Sequence, residues 1–125
     1  EIYVMVELPS NVLLAESFAQ LFDGFSIGTN DLTQLTLGLD RDNALINELF
    51  DENNAAIKAM IQQTIAAAKK HNIPVGLCGQ APSDFPEFAQ FLVTAGIDSI
   101  SFNADALLQG IENIQQAEAR FAKVV

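Results

Sequence analysis

The sequence predicts an α/β fold made of four parallel βα units, forming one domain over residues 1–125. Three observations lead to this prediction. Four short apolar runs are spaced along the chain, a helical pattern of apolar residues follows each of them, and no linker or low-complexity segment separates them. Such alternation is typical of parallel strands joined by right-handed helical crossovers.

The first unit begins with the nearly continuous apolar run at residues 2–8, IYVMVEL. Its β-branched and aromatic residues indicate a strand that is covered on both faces. Pro9 ends this strand, and Ser10 or Asn11 can cap the helix that follows. We expect that helix to end at Asp23-Gly24.

The second unit has a short strand at residues 25–29 and an ambiguous segment after it. We read residues 32–37 as a turn of helix, residues 38–43 (with Arg41) as a loop, and the following residues as a short helix that ends at Phe50. The clearest helix of the chain covers residues 54–71. Its apolar residues recur on one stripe, namely Ile57, Met60, Ile61, Ile65 and Ala68.

The last two units follow the same pattern. The third strand is PVGLCG at residues 74–79, and Ser83 or Asp84 is expected to cap the helix after it, which ends at Gly96. Pro86 is tolerable in that helix because it falls in the first turn. DSISFN at residues 98–103 is the fourth strand, and a final helix runs over about residues 104–122.

Composition excludes several classes of partner. There are 16 acidic and 6 basic residues, for a net charge of -10, whereas nucleic acids and anionic membranes require a basic patch. No apolar run approaches the roughly 20 residues of a membrane span. A single Cys fits a reducing compartment, so we expect a cytoplasmic protein. The chain opens at Glu1 in mid-strand, without Met or a signal peptide, which suggests a piece of something longer.

Four βα units fit either a small open sheet or half of an eight-stranded βα barrel, whose full length is about 250 residues. No Gly-rich phosphate loop follows the first strand, which argues against nucleotide binding. In a barrel, chemistry takes place at the carboxyl ends of the strands. Here those ends are polar, and they read Glu7, Gly28-Thr29-Asn30-Asp31, Cys78-Gly79-Gln80 and Asn103.

Glu7 and Asp31 are the most informative of these residues. They end successive strands, which in a sheet are usually neighbours about 4.8 Å apart. Two carboxylates this close repel each other unless a cation lies between them, and carboxylates with water commonly hold Mg²⁺. Each residue also has an ordinary interpretation: Glu7 as the partner of an Arg, and Asp31 as a helix cap.

Cys78 carries a second possible chemistry. A free thiol has a reference pKa of about 8.5, so near pH 7 it is mostly protonated and can act as an acid. The alternative interpretation is a core thiol, because free Cys is among the most buried residue types.

One long stretch resembles the C-terminal barrel of the phosphoenolpyruvate (PEP)-utilising enzymes. The resemblance rests on EIYVMVELPSNVLLAESFAQLFDGFSIGTNDLTQLTLGLDRDN and runs from Glu1 to about Leu107, with GTNDLTQ and Cys78-Gly79 as its most specific motifs. Within the family, Gln80 favours the PEP synthase branch, because the dikinase and enzyme I branches usually have Glu after the Gly. The resemblance implies a (β/α)8 barrel of which this chain is roughly the second half.

The family resemblance implies a role for each of these positions. Glu7 and Asp31 match the Mg²⁺ ligands, Gly28, Thr29, Asn30 and Asp31 match the segment that contacts pyruvate or PEP, and Cys78 matches the residue that delivers a proton to the enolate carbon. The family's phosphorylated His and its ATP-binding domain match nothing in this chain. The isolated chain is therefore expected to be inactive.

Two alternatives stay open at this point. The chain can be the corresponding part of a pyruvate phosphate dikinase or of the phosphotransferase-system enzyme I. It can also be a non-catalytic module that associates with itself, because a half barrel exposes two parallel strand edges. We therefore expect a homo-oligomer.

Overall fold

The computed structural model describes residues 1–40 and 42–124, apart from the side chains of Asn47, Lys123 and Val124. Four strands form one sheet, in the order β1-β2-β3-β4, and every neighbouring pair is parallel. The strands are β1 (Tyr3–Val6), β2 (Gly24–Gly28), β3 (Val75–Cys78) and β4 (Ser99–Ile100). The predicted parallel pairing of successive strands is thus confirmed. In a doubly wound sheet the order of the strands reverses at a switch point, and the strand order of this sheet does not reverse.

Within residues 1–40 and 42–124, seven α-helices connect and flank the strands. They are α1 (Pro9–Leu13), α2 (Ala15–Ala19), α3 (Thr29–Leu37), α4 (Ala55–His71), α5 (Ala81–Asp84), α6 (Pro86–Ala95) and α7 (Leu107–Val124), with a 3-10 helix at Asn47–Leu49. Among the described residues, none of these helices combines the length and apolar character needed to cross a membrane.

The two faces of the sheet differ sharply. The outer face carries the large apolar side chains of the strands, namely Val6, Phe25, Ile27, Val75 and Leu77. They pack into one core with apolar side chains of the helices, which include Ile57, Ile61, Ile65, Phe88 and Leu92. Because side chains alternate along a strand, the residues between them form the inner face: Tyr3, Met5, Gly24, Ser26, Gly28, Gly76, Cys78 and Ser99. The parallel order and the helices on the outer face are the architecture of a partial (β/α)8 barrel.

The prediction that β1 is covered on both faces is wrong. Tyr3 is 44% exposed and Met5 is 39% exposed, because both lie on the inner face, which the helices do not cover. The strand is also shorter than predicted, as is β4, where pairing is confined to Ser99 and Ile100.

Two predicted helices are each divided into two. The first is interrupted at Leu14, giving α1 and α2. The other is interrupted at Phe85, whose backbone is extended at φ -128° and ψ 103° because the following Pro86 disfavours the helical conformation. Ser83 and Asp84 therefore lie inside α5 and do not cap α6.

Helix α4 matches its prediction closely. Asn54 caps it by accepting a hydrogen bond from Ala56 N at 2.9 Å, and the predicted apolar stripe faces the core. In the segment before α4, the predicted short helix is a 3-10 turn, and the loop assignment of Arg41 lies outside the described residues.

Candidate active site

The predicted site residues meet at one edge of the sheet. Glu7 follows the last residue of β1, while Gly28 ends β2 and Cys78 ends β3, where the two are register partners. Because the strands are parallel, these three ends lie side by side. Residues 29–31 then form the first turn of α3. Asn103 lies three residues beyond β4, and its backbone N–H donates to Ser83 Oγ at 3.1 Å.

Glu7 lies across Gly28. A Cβ placed on Gly28 would be 3.2 Å from both Cβ and Oε2 of Glu7, so the missing side chain lets this carboxylate lie against β2. The chain is fixed at this point by the buried side chain of Asn11. Its Oδ1 accepts hydrogen bonds from the backbone of Leu8 at 3.0 Å and of Glu7 at 3.4 Å. The half-buried Glu7 is thus held at the sheet edge and directed toward β2.

Asp31 stands in the first turn of α3, three residues after the helix N-cap Gly28. A carboxylate is favourable there because the amino-terminal end of a helix carries partial positive charge. Among the described residues, neither Glu7 nor Asp31 forms an ion pair, and no three His, Cys, Asp or Glu side chains cluster. Asp31 is exposed, and a cation site shared by Glu7 and Asp31 stays a prediction.

Thr29 packs directly against Gly79. Thr29 is fully buried, and a Cβ on Gly79 would overlap its Oγ1. That hydroxyl has no hydrogen-bond partner among the described residues. The start of α3 and the end of β3 therefore approach each other with no intervening side chain, which places the first turn of α3 beside Cys78.

Cys78 is half-buried on the inner face and is not part of the apolar core. Its Sγ lies 3.5 Å from Ser26 Oγ and 3.6 Å from the carbonyl oxygen of Ile27. Ser26 was not predicted as a site residue. The signal was available, because Ser26 lies two residues before Gly28 and therefore shares its face of the sheet.

A polar cleft adjoins this edge. Asn30, Asp42, Phe50, Glu52 and Gln80 line an open space of about 430 Å³. Three of them, Asp42, Phe50 and Glu52, come from the segment between α3 and α4, where no site residue was predicted. Glu52 is the residue of interest there, because its side chain is only 7% exposed.

The opposite end of the sheet has a stabilising role. Asp98 accepts hydrogen bonds from Val75 N at 2.9 Å and from Lys69 Nζ at 2.7 Å, joining β3, α4 and the start of β4. Burial works to raise the pKa of Asp98, but these two donors outweigh it and the pKa is lowered. His71 is the last residue of α4, with Nε2 3.9 Å from Glu16 Oε2.

Comparison with known proteins identifies the family. Residues 1–119 match the family described as PEP-utilising enzyme, PEP-binding domain. The chain is 61% identical over 120 residues to the phosphoenolpyruvate synthase of Aquifex aeolicus, covering 96% of the chain and 14% of that protein. It is 60% identical over 118 residues to the Synechocystis phosphoenolpyruvate synthase and 57% identical over 109 residues to that of Escherichia coli, covering 94% and 87% of the chain and 14% of each relative.

Two solved structures share the fold. An HpcH/Hpal aldolase/citrate lyase family protein from Burkholderia cenocepacia is 20% identical with a TM-score of 0.62, over 94% of the chain and 42% of that structure. An HpcH/HpaI aldolase from Desulfitobacterium hafniense is 16% identical with a TM-score of 0.60, over 98% and 41%. The chain spans about one seventh of its sequence relatives, since each match covers 14% of the relative. On the match over residues 1–119, the chain belongs to the PEP-utilising enzymes, through their PEP-binding domain.

Proposed function

We propose that this chain is part of the substrate-binding barrel of a phosphoenolpyruvate synthase, which makes PEP, AMP and phosphate from pyruvate, ATP and water. The observation that carries the proposal is the meeting of Glu7, the first turn of α3 and Cys78 at one sheet edge. The relatives that share 57–61% identity and are named phosphoenolpyruvate synthase support this branch over the dikinase or enzyme I. The phosphohistidine and ATP-binding domains would belong to the rest of the longer protein.

Mg²⁺ is the cofactor that this edge suits. Carboxylate oxygens are ligands that Mg²⁺ prefers, and Gly28 leaves room for the Glu7 carboxylate beside β2. Glu7 and Asp31 would hold the ion. When bound, Mg²⁺ supplies a Lewis acid that stabilises negative charge on the oxygens of pyruvate.

The first turn of α3 would orient the substrate. The first backbone N–H groups of a helix have no intrahelical partner, and with the helix dipole they favour a negative group. Helix α3 starts at Thr29, directly at the end of β2. These N–H groups and the Asn30 amide would therefore donate to the carboxylate or phosphate oxygens of pyruvate and PEP.

Cys78 would move the proton at the methyl carbon. Cys78 would take this proton as the thiolate when PEP is formed, and as the resulting thiol it would return the proton to carbon when pyruvate is formed. Ser26 Oγ, 3.5 Å from Sγ, would hold the sulfur on the inner face. The same contact would keep Cys78 oriented while the proton is on carbon.

The test is Cys78→Ala in the full-length enzyme. We expect PEP formation to fall at least about 100-fold, because the proton at carbon has lost its acceptor. Phosphorylation of the enzyme by ATP should continue, since that step does not use the methyl carbon. Ser17→Ala, at an exposed position of α2, is the control. If Cys78→Ala retains control-level turnover, Cys78 is only a structural thiol.

A further inference from the structure

The sheet does not hold the backbone of Glu7. Pairing between β1 and β2 ends at Val6 and Ile27, and Glu7 is the residue that follows. Among the described residues, no side chain donates a hydrogen bond to the Glu7 carboxylate or forms an ion pair with it. The direction of this carboxylate therefore depends on what fixes the backbone that carries it.

Asn11 fixes that backbone. Its Oδ1 accepts hydrogen bonds from Leu8 N at 3.0 Å and from Glu7 N at 3.4 Å. The Leu8 carbonyl oxygen in turn accepts from Asn11 N at 2.9 Å, so both backbone groups of Leu8 are bonded to Asn11. Two N–H donors at one amide group require its carbonyl oxygen to face them, which leaves one orientation for the buried Asn11 side chain.

These hydrogen bonds lie outside helix α1. In a capping box, a Ser or Thr at the N-cap accepts from the third helical residue, whose side chain reaches back to the N-cap. Leu8 is the N-cap of α1 and has no side-chain oxygen, so only the backward half is present. The bond to Glu7 N lies one residue further from the helix. Asn11 therefore fixes the end of β1 more than it stabilises the start of α1.

Asn11 and Gly28 hold Glu7 from two sides. Val12, which follows Asn11, is 1% exposed, and its carbonyl oxygen accepts from Gln63 Nε2 of α4 at 3.3 Å. The position of Asn11 is thus fixed to the core. On the other side, Oε2 of Glu7 lies 3.2 Å from the point that a Cβ on Gly28 would occupy. With its backbone held at Asn11 and its side chain against Gly28, the carboxylate has a defined place at the sheet edge.

We propose that Asn11 is a positioning residue that sets the place of the Glu7 carboxylate as a metal ligand. The inference rests on the proposed function in one respect, which is that Glu7 binds Mg²⁺. Asn11 touches neither the ion nor the substrate, and it acts through the backbone of Glu7. Loss of its side-chain oxygen should therefore weaken the binding of the ion and leave the acid–base step at Cys78 in place.

The first arm of the test measures metal binding and needs no turnover. Mn²⁺ is the probe, because it takes the same oxygen ligands as Mg²⁺, and the electron paramagnetic resonance signal of the free ion reports its binding. In the full-length enzyme with pyruvate and without ATP, Asn11→Ala should weaken Mn²⁺ binding about tenfold. Asn11→Asp keeps the acceptor oxygen and should weaken it much less. Asn54→Ala is the matched control, because it removes the hydrogen bond from Ala56 N that caps α4, and it should leave Mn²⁺ binding unchanged.

The second arm uses Glu7→Gln, which should itself weaken Mn²⁺ binding. In that background, Asn11→Ala should weaken it further by less than about twofold, because residues that act through one another are not additive. Asn11→Ser, which shortens the side chain, takes its place if Asn11→Ala does not fold. An equal loss in both backgrounds, or no loss from either change at Asn11, would overturn the proposal while Glu7 remains a ligand. If Glu7→Gln leaves Mn²⁺ binding unchanged, the metal role in the proposed function fails, and the proposal for Asn11 fails with it.

Discussion

Replacing Gly79 by Ala tests the contact that joins the end of β3 to the start of α3. The new Cβ would overlap Thr29 Oγ1 and would lie 3.3 Å from Thr29 Cβ and 3.6 Å from its backbone nitrogen. Thr29 is fully buried, so its side chain cannot turn into solvent. The substitution must therefore push the first turn of α3, which carries Asn30 and Asp31, away from Cys78.

The size of the effect follows from the tightness of this contact. Adding a methyl group to a packed site typically costs about 1–3 kcal/mol, and an overlap with a buried atom places Gly79→Ala at about 2 kcal/mol. Thr29→Ala removes the overlapping hydroxyl, so the double variant should recover about 1–2 kcal/mol relative to the sum of the single changes. Thr29→Ser keeps the hydroxyl and should recover much less.

The assay is urea unfolding followed by circular dichroism, with the free energy of unfolding measured for each variant. Gly38→Ala is the control for backbone effects. Gly38 has φ 65° with nothing within 4 Å of a Cβ, so its cost of about 1 kcal/mol is conformational, and Thr29→Ala should not reduce it. If the changes at Gly79 and Thr29 are simply additive, the two residues are not in tight contact and the reasoning fails.

Three further predictions concern the metal, acid stability and association. In the full-length enzyme, Glu7→Gln should weaken the binding of Mg²⁺ and the binding of pyruvate together, each by about tenfold, measured from the Mg²⁺ dependence of the initial rate. A change in the binding of only one of them would contradict a shared site. The pKa of Asp98 is lowered in the folded chain, so ionised Asp98 stabilises the fold above its unfolded pKa of about 3.9, and this stabilisation is lost as the pH falls through the folded pKa. Asp98→Asn should therefore reduce the fall in the free energy of unfolding at acid pH, measured by urea unfolding at a series of pH values. The outer edges of β1 and β4 are unpaired among the described strands, so sedimentation should show self-association at high concentration, and a monomer would count against it.

The strand order and the edge that carries the site follow from the sequence alone. Alternating strand and helix patterns fix parallel pairing, and parallel pairing brings the ends of successive strands to one edge. The sequence therefore predicts that Glu7, Gly28 and Cys78 lie together at that edge. The interruption at Phe85 was also predictable, because a residue before Pro avoids helical backbone.

The contacts within the site were not predictable in the same way. The approach of Ser26 to Cys78 depends on the register of β2 and β3, and a shift of one residue would turn one of them to the other face. Glu52 lies in a segment without hydrophobic periodicity, so no pattern indicates that its side chain is buried. The contacts beside it are the local hydrogen bonds of Asn53 N to Asp51 and of Ala56 N to Asn54, and the long-range one of Asn53 Nδ2 to Glu87 Oε1, which no local pattern indicates.

Small residues on the inner face explain why the site lies where it does. In β2, Phe25 and Ile27 fill the helix-covered core, while Gly24, Ser26 and Gly28 alternate with them on the other side. The ring of Tyr3 in β1 lies over Gly24, and the side chain of Glu7, which follows β1, lies over Gly28. Cβ atoms at these two glycines would stand in the way of both side chains. The same alternation that builds the core therefore leaves room for the Glu7 side chain over Gly28, which is the register partner of Cys78.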